Sequence, residues 1–270
     1  MYLGREVFPS APLAIVTAEM RFGYEPRLKD DPVRDRFAEA VREAFPVLSI
    51  EQAVTFTMSS VGGPEATTIP QVRATTTDRQ ATVTLNATSL SLAMSGNTYV
   101  EFASSFAPLM AICVKALHQA AGNVPLQRLG LRYIDEVRPP TAPPDGDWSM
   151  WVRRDLLGAT GALEAEVSGH RSSTTFRSGP GRTITFNAGQ FDGGTVIDAA
   201  LPFAPAEIEQ GPVFIIDVDS AWEPGEHTPL DPDSLEQVLA ELHEPVGGIF
   251  QWSITEASRE LFRQPKGETR

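Results

Sequence analysis

The chain reads as an α+β protein with two β-containing halves, mostly antiparallel sheets packed with about four helices. Three observations predict this. Short Thr- and Val-rich runs are separated by Gly-rich or Asp-containing turns, the pattern of meanders and hairpins. Stretches with apolar residues three and four apart mark amphipathic helices. Both kinds of segment occur in each half, without the β-α-β-α alternation that a parallel sheet demands.

The elements follow in order. From Pro12 to Phe22, Leu13, Ile15 and Thr17 alternate with Ala14, Val16 and Ala18, which predicts a strand buried on both faces. Asp31 as N-cap and Pro32 in the first turn start a helix whose apolar positions are Val33, Phe37, Val41 and Ala44, ending at Pro46. Strands are predicted at Val54 to Met58, Gln71 to Thr77 and Ala81 to Leu92. Thr98 and Glu101 have the spacing of a capping box for a helix running to Gly122, with Pro108 inside it. The ring of Pro108 predicts a kink near Ser104 and Ser105, whose hydroxyls can meet the freed carbonyls.

Arg128 to Val137 is the next strand, followed by a connector with four prolines and no apolar pattern. Beyond it, Leu163 to Arg177, Arg182 to Phe191 and Thr195 to Ala200 read as strands joined by Gly-rich turns, and Val213 to Asp219 as one more. Asp231 and Pro232 start a third helix on Leu235, Val238, Leu239 and Leu242. Pro245 starts a fourth, with Val246, Phe250, Ile254, Ala257 and Leu261 on one face. The organisation is therefore an N-terminal half over residues 1–138, a Pro-rich connector over 139–147, a C-terminal half over 148–263 and a polar tail over 264–270. Both halves run from strands into helix, so an internal duplication is one way to make them.

With 270 residues and 41% apolar content the chain can bury a substantial core without disulfide or metal staples. No apolar signal core or bilayer-length run is present, so the expectation is a cytoplasmic protein away from membranes. The one cysteine, Cys113, shares a stripe with Phe106, Met110 and Leu117 and reads as a buried hydrophobe rather than a reactive thiol.

Charge is distributed unevenly. From Thr183 to Ser258 there are fourteen Asp and Glu and not one Lys or Arg, while the rest of the chain has 22 basic against 21 acidic residues. An acidic C-terminal surface repels nucleic acid and anionic lipid and suits a basic protein partner or a divalent cation.

Two constellations carry possible chemistry. On a strand, Arg128, Arg132, Ile134 and Glu136 fall on one face and Leu129, Leu131, Tyr133 and Asp135 on the other, with Gly130 leaving room between the arginines. Two guanidiniums so placed can clamp a phosphate or carboxylate, or pair with Glu136 and nearby carboxylates in a structural ladder. Arg128, Arg132, Tyr133 and Asp135 are the candidate ligand residues. Asp217 and Asp219 share a strand face and are followed by Glu223, Glu226 and His227; such oxygen donors can hold Mg²⁺ or Mn²⁺, although an acidic strand end produces the same pattern. His243, before Glu244 and Pro245, reads as a helix C-cap, and His118 and His170 lack acidic or cysteine partners in sequence. There is no Walker loop, G-x-G-x-x-G, G-x-S-x-G, H-E-x-x-H or zinc spacing.

The run Arg128-Leu-Gly-Leu-Arg-Tyr-Ile-Asp135, with Pro12 to Phe22, Tyr99-Val-Glu-Phe102 and the segment from Leu242 to Phe262, resembles a sporadically distributed bacterial family of uncharacterised proteins that carries an R-x-G-L-R-Y-I-N signature. This chain has Asp135 where that family usually has asparagine. The resemblance implies no activity. Its patchy distribution implies horizontal movement, and so a place in a mobile-element, toxin–antitoxin or phage-defence locus. The leading expectation is a non-catalytic binding or assembly protein, without cofactor, presenting its acidic surface to a basic partner. The alternative is a Mg²⁺- or Mn²⁺-dependent enzyme with Asp217 and Asp219 on the ion and Arg128 and Arg132 on an anionic substrate.

Overall fold

The computed structural model describes residues 6–58, 64–160, 162, 165, 167–207, 210–225, 228 and 232–265, with backbone alone at 53–58, 64–67 and 233. An antiparallel sheet of nine strands forms one layer. Its strands are β1 (Leu13–Phe22), β2 (Val47–Met58), β3 (Pro64–Thr75), β4 (Ala81–Leu85), β5 (Ser89–Ser95), β6 (Leu126–Val137), β7 (His170–Gly179), β8 (Arg182–Gly193) and β9 (Gln210–Trp222). The spatial order is β2-β3-β4-β5-β1-β6-β9-β8-β7. Helices α1 (Asp31–Val41), α2 (Ala107–Ala121) and α3 (Pro232–Ser253) form the second layer, followed by α4 (Glu256–Arg263). The α+β class is thus observed, with one sheet in place of several: β6, before the Pro-rich segment, is hydrogen-bonded to β9, after it, from Leu129↔Trp222 to Val137↔Phe214.

The layers follow from alternation. On β1, Val16, Ala18, Met20 and Phe22 are at most 2% exposed and face the helices. Its other face begins with buried Ile15 but ends in Glu19 and exposed Arg21, so the strand is not apolar on both sides as the sequence predicts. From the helices, Val33, Phe37 and Val41 of α1, Met110, Cys113 and Leu117 of α2, and Leu235, Leu239 and Leu242 of α3 fill the core. Burial pushes the Cys113 thiol well above its usual range, which leaves it a packing residue.

Several boundaries differ from expectation for identifiable reasons. The N-cap of α1 is Asp30, one residue earlier than predicted. The Ala81 to Leu92 run breaks into β4 and β5 because the Asn86 side chain accepts from the amides of Thr88 and Ser89, closing a tight turn. Thr98 and Glu101 form no capping box. Instead a π-turn at Phe102–Phe106 precedes α2, Pro108 lies in the first turn of α2, and the Ser105 hydroxyl donates to the Glu101 carbonyl while accepting from the amides of Val100 and Glu101. Gly181, at φ 64°, makes the β7–β8 hairpin turn that the Gly-Pro-Gly run predicts.

Residues 195–200 are not a strand. The Glu136 carboxylate accepts from the Thr195 hydroxyl and the Val196 amide, and Arg73 donates to the Ala200 carbonyl, so the segment crosses the outer face of the sheet instead of joining its ladder. The third and fourth predicted helices are joined: Pro245 lies inside α3, and the break comes at Thr255, whose hydroxyl caps α4. In the connector, Pro140, Thr141 and Ala142 are exposed and Pro143 is buried; just beyond it Trp148 is buried against Phe214. The polar tail is described only at Gln264 and Pro265.

Candidate functional site

Strand β6 has a different chemistry on each face. Arg128 and Arg132 stand on the outer face, beside Asp217 and Asp219 of β9. Arg132 makes a bidentate pair with Asp217 (Nε–Oδ1 2.7 Å, Nη2–Oδ2 2.8 Å), and Asn187 of β8 donates to the same carboxylate at 3.0 Å. Arg128 donates to Asp219 at 2.6 Å and lies 3.8 Å from Glu19. Register places Arg132 directly opposite Asp219, and Gly130 opposite Ala221. Both arginines therefore reach along the sheet to their partners, and the Arg128 guanidinium does so by lying over Gly130. A Cβ at Gly130 would stand 2.2 Å from the Arg128 Nη1, so the space left by this glycine is filled by the protein's own side chain.

Electrostatics follow the pairing. The hydrogen bonds to Asp217 raise the Arg132 pKa against the opposing effect of burial. Burial raises that of Asp219, against the pull of Arg128 and Arg132. Glu136, the partner that sequence spacing suggested for the arginines, is held instead by Arg138 at 3.0 Å and by residues 195 and 196. Of the other metal candidates, Glu223 is exposed just beyond β9, and Glu226 and His227 lie outside the described residues. Among the described residues no group of three or more His, Cys, Asp and Glu is gathered about one point.

Tyr133 and Asp135 face the helices, where a cavity of about 680 Å³ lies between β6, α3, the π-turn and the segment at Phe8. Four elements shape it. Leu13, Tyr133, Asp135 and Val218 come from the sheet, while α3 contributes His243, Val246 and Phe250 at spacings of three and four. Tyr99 and Phe102, before and within the π-turn, close a third side. Phe8 closes the fourth, held because the Gln251 side chain donates to the Glu6 carbonyl and the Ser10 amide to the Phe262 carbonyl.

The aromatic groups are ordered against one another. His243 stacks on Phe102 at 4.3 Å between centroids and on Tyr133 at 5.5 Å. The Tyr99 and Tyr133 hydroxyls are hydrogen-bonded at 3.0 Å with their rings edge to face. Asp135 is 5% exposed, and no described residue donates a hydrogen bond to its carboxyl. Its pKa is pushed up to about 8, first by burial and then by the charge of Asp217 across the sheet. At neutral pH this is a largely protonated acid held against an aromatic cavity, able to donate a hydrogen bond, release a proton, or ionise against a bound positive charge.

The four candidate ligand residues are thus separated by the pleat: Arg128 and Arg132 belong to an ion-pair ladder, Tyr133 and Asp135 to a cavity. His243 is not a helix C-cap, since α3 runs ten residues past it and buries it. The signal was present in its spacing from Val246 and Phe250, which places all three on one stripe. Phe8 carries no comparable signal, because it joins the cavity only through contacts with α3 and α4.

No protein-family model matches the chain, and no curated protein compared with it is similar.

Proposed function

We propose that the protein is a non-catalytic binding protein whose ligand occupies the cavity between β6 and α3. The observation that carries this reading is Asp135, a buried carboxyl without a described hydrogen-bond partner on the wall of a cavity large enough for a small molecule. Burying a polar group without a partner costs free energy, and a ligand that supplies the partner recovers it. The reading treats the fold as two halves meeting at the β6–β9 pair. A β-α-β-β-β-β-α-β order is followed by β-β-β-α-α, and the cavity takes Tyr99, Phe102, Tyr133 and Asp135 from the first half and His243 and Phe250 from the second.

The ladder supports binding over metal-assisted chemistry. Asp217 and Asp219 would have to release Arg132 and Arg128 before either could ligate Mg²⁺ or Mn²⁺, and those arginines would then be needed on the substrate.

A thermal-shift and ligand-observed NMR screen of small molecules tests the reading against wild type and Gly247→Phe, which projects a ring into the cavity from α3. Compounds that raise the wild-type melting temperature should lose that effect in the variant. Binders indifferent to Gly247→Phe, or no binder at all, would place the function elsewhere.

A further inference from the structure

We propose that the ligand of this cavity is an organic cation, an amine or quaternary ammonium group seated between Asp135 and the aromatic rings. The inference rests on the cavity being the binding site and adds the charge of what enters it.

Among the described residues, the Phe and Tyr side chains that line the cavity are Phe8, Tyr99, Phe102, Tyr133 and Phe250, with the His243 imidazole beside them. Ring faces carry negative potential and attract cations. The Phe8 ring takes the Arg259 guanidinium, 6.0 Å from its centroid, and Phe102 and Tyr133 are stacked on His243, so the rings form one ordered wall beside Asp135. Four carboxyl groups line the same space, Asp135 within and Glu6, Glu101 and Glu244 around it, and among the described lining residues there is neither lysine nor arginine. Glu6 is committed to Arg259 and Arg263, which leaves Glu101 and Glu244, both exposed, to draw positive charge toward the mouth.

Alternatives fit this wall less well. An anion would meet acidic groups with no lysine or arginine among the described lining residues, and Arg259, beside Phe8, is already held by Glu6 and Gln251. A neutral apolar molecule would leave the Asp135 carboxyl without a partner in a drier site than before. A cation instead lets Asp135 release its proton and exchange a neutral buried acid for a hydrogen-bonded or contact ion pair beside polarisable rings.

The pH response is then fixed in sign. Groups facing Asp135 are Tyr133 on its own strand, Tyr99 beside the π-turn, His243 and Glu244 on α3, and Glu6 and Glu101 at the rim, with Asp217 behind it across the sheet. With a folded pKa of about 8, Asp135 must lose a proton to bind a fixed cation below that pH, so affinity rises about tenfold per pH unit until about pH 8.

The experiment is calorimetric titration of benzyltrimethylammonium, benzyl alcohol and phenylacetate into wild type and Asp135→Asn at pH 6, 7 and 8. The cation should bind wild type about tenfold or more tightly than the alcohol and gain about tenfold between pH 6 and 7, with no binding of phenylacetate. Asp135→Asn should cut cation affinity about tenfold or more while leaving the alcohol unchanged. If the alcohol or phenylacetate binds as well as the cation, or the variant keeps the preference, the cation assignment is overturned while the cavity reading stands. If none of the three binds, the cation assignment is also overturned, and the cavity reading is judged by the Gly247→Phe screen.

Discussion

Asp135 sets one pH dependence of folding. Its pKa rises from 3.8 in the unfolded chain to about 8 in the native one, so the native state keeps a proton that the unfolded state gives up. The associated stability is whole below about pH 4 and is lost as pH rises toward 8. At pH 7 the loss is on the order of 4 kcal/mol, from about 1.4 kcal/mol for each pH unit above the unfolded pKa. Asp135→Asn has the same shape and no charge to bury. Its urea midpoint should exceed that of wild type increasingly from pH 4 to pH 8, and a gap that stays constant over this range would show that the carboxyl is not desolvated as the fold implies.

At the scale of elements, the β6–β9 ladder is where ion pairing and strand pairing coincide. The Arg132 side chain is 48% exposed and that of Asp217 only 8%, so the arginine is the cheaper partner to lose and the aspartate the costlier one to strand. Arg132→Met leaves Asp217 with Asn187 alone and should lower stability by about 1–2 kcal/mol. Arg132→Met with Asp217→Val replaces both partners by residues suited to a sheet and should return to within about 1 kcal/mol of wild type. Chemical denaturation of the two variants checks the pair; equal losses in both would mean that the carboxylate does more than pair with this arginine. Helix α3 shows the converse of a sequence signal. Pro245 removes one backbone donor, yet its fixed φ is helical, and Leu239, Leu242 and Val246 keep one buried stripe through it. Packing of that stripe outweighs one missing hydrogen bond, so a proline that reads as a start becomes an interior residue.

For the whole molecule, the sheet binds together what the chain separates. Residues 140–142 are exposed with no strand pairing, while β6 on one side of them is hydrogen-bonded to β9 on the other. Limited proteolysis with a protease of broad specificity should cut here and give two fragments of about half the chain each on a denaturing gel. The nicked protein should still elute from gel filtration as one species, because the β6–β9 ladder survives the cut. Separate elution, or resistance of this segment equal to that of the helices, would contradict the pairing. The acidic window is similarly altered by folding. Asp217, Asp219, Glu241 and Glu256 pair with Arg132, Arg128, Arg182 and Arg263, all from outside the window, so charge segregated in sequence is partly neutralised in space.

Local rules account for what the sequence by itself determined. Alternation on β6 assigned Arg128 and Arg132 to one face and Tyr133 and Asp135 to the other, because a strand's two-residue period is fixed by its backbone. The same rules found α1, most of α2, the β7–β8 hairpin and the α+β class. Only the tertiary structure decided which carboxylates the arginines hold. Arg132 and Asp217 stand far apart along the chain, and such neighbours are set by sheet register rather than by sequence spacing. It also decided that His243, Tyr99 and Phe8 surround Asp135. Their meeting depends on how α3, the π-turn and the N-terminal segment pack over β6, and burial, which gives Asp135 its raised pKa, exists only once those layers have closed.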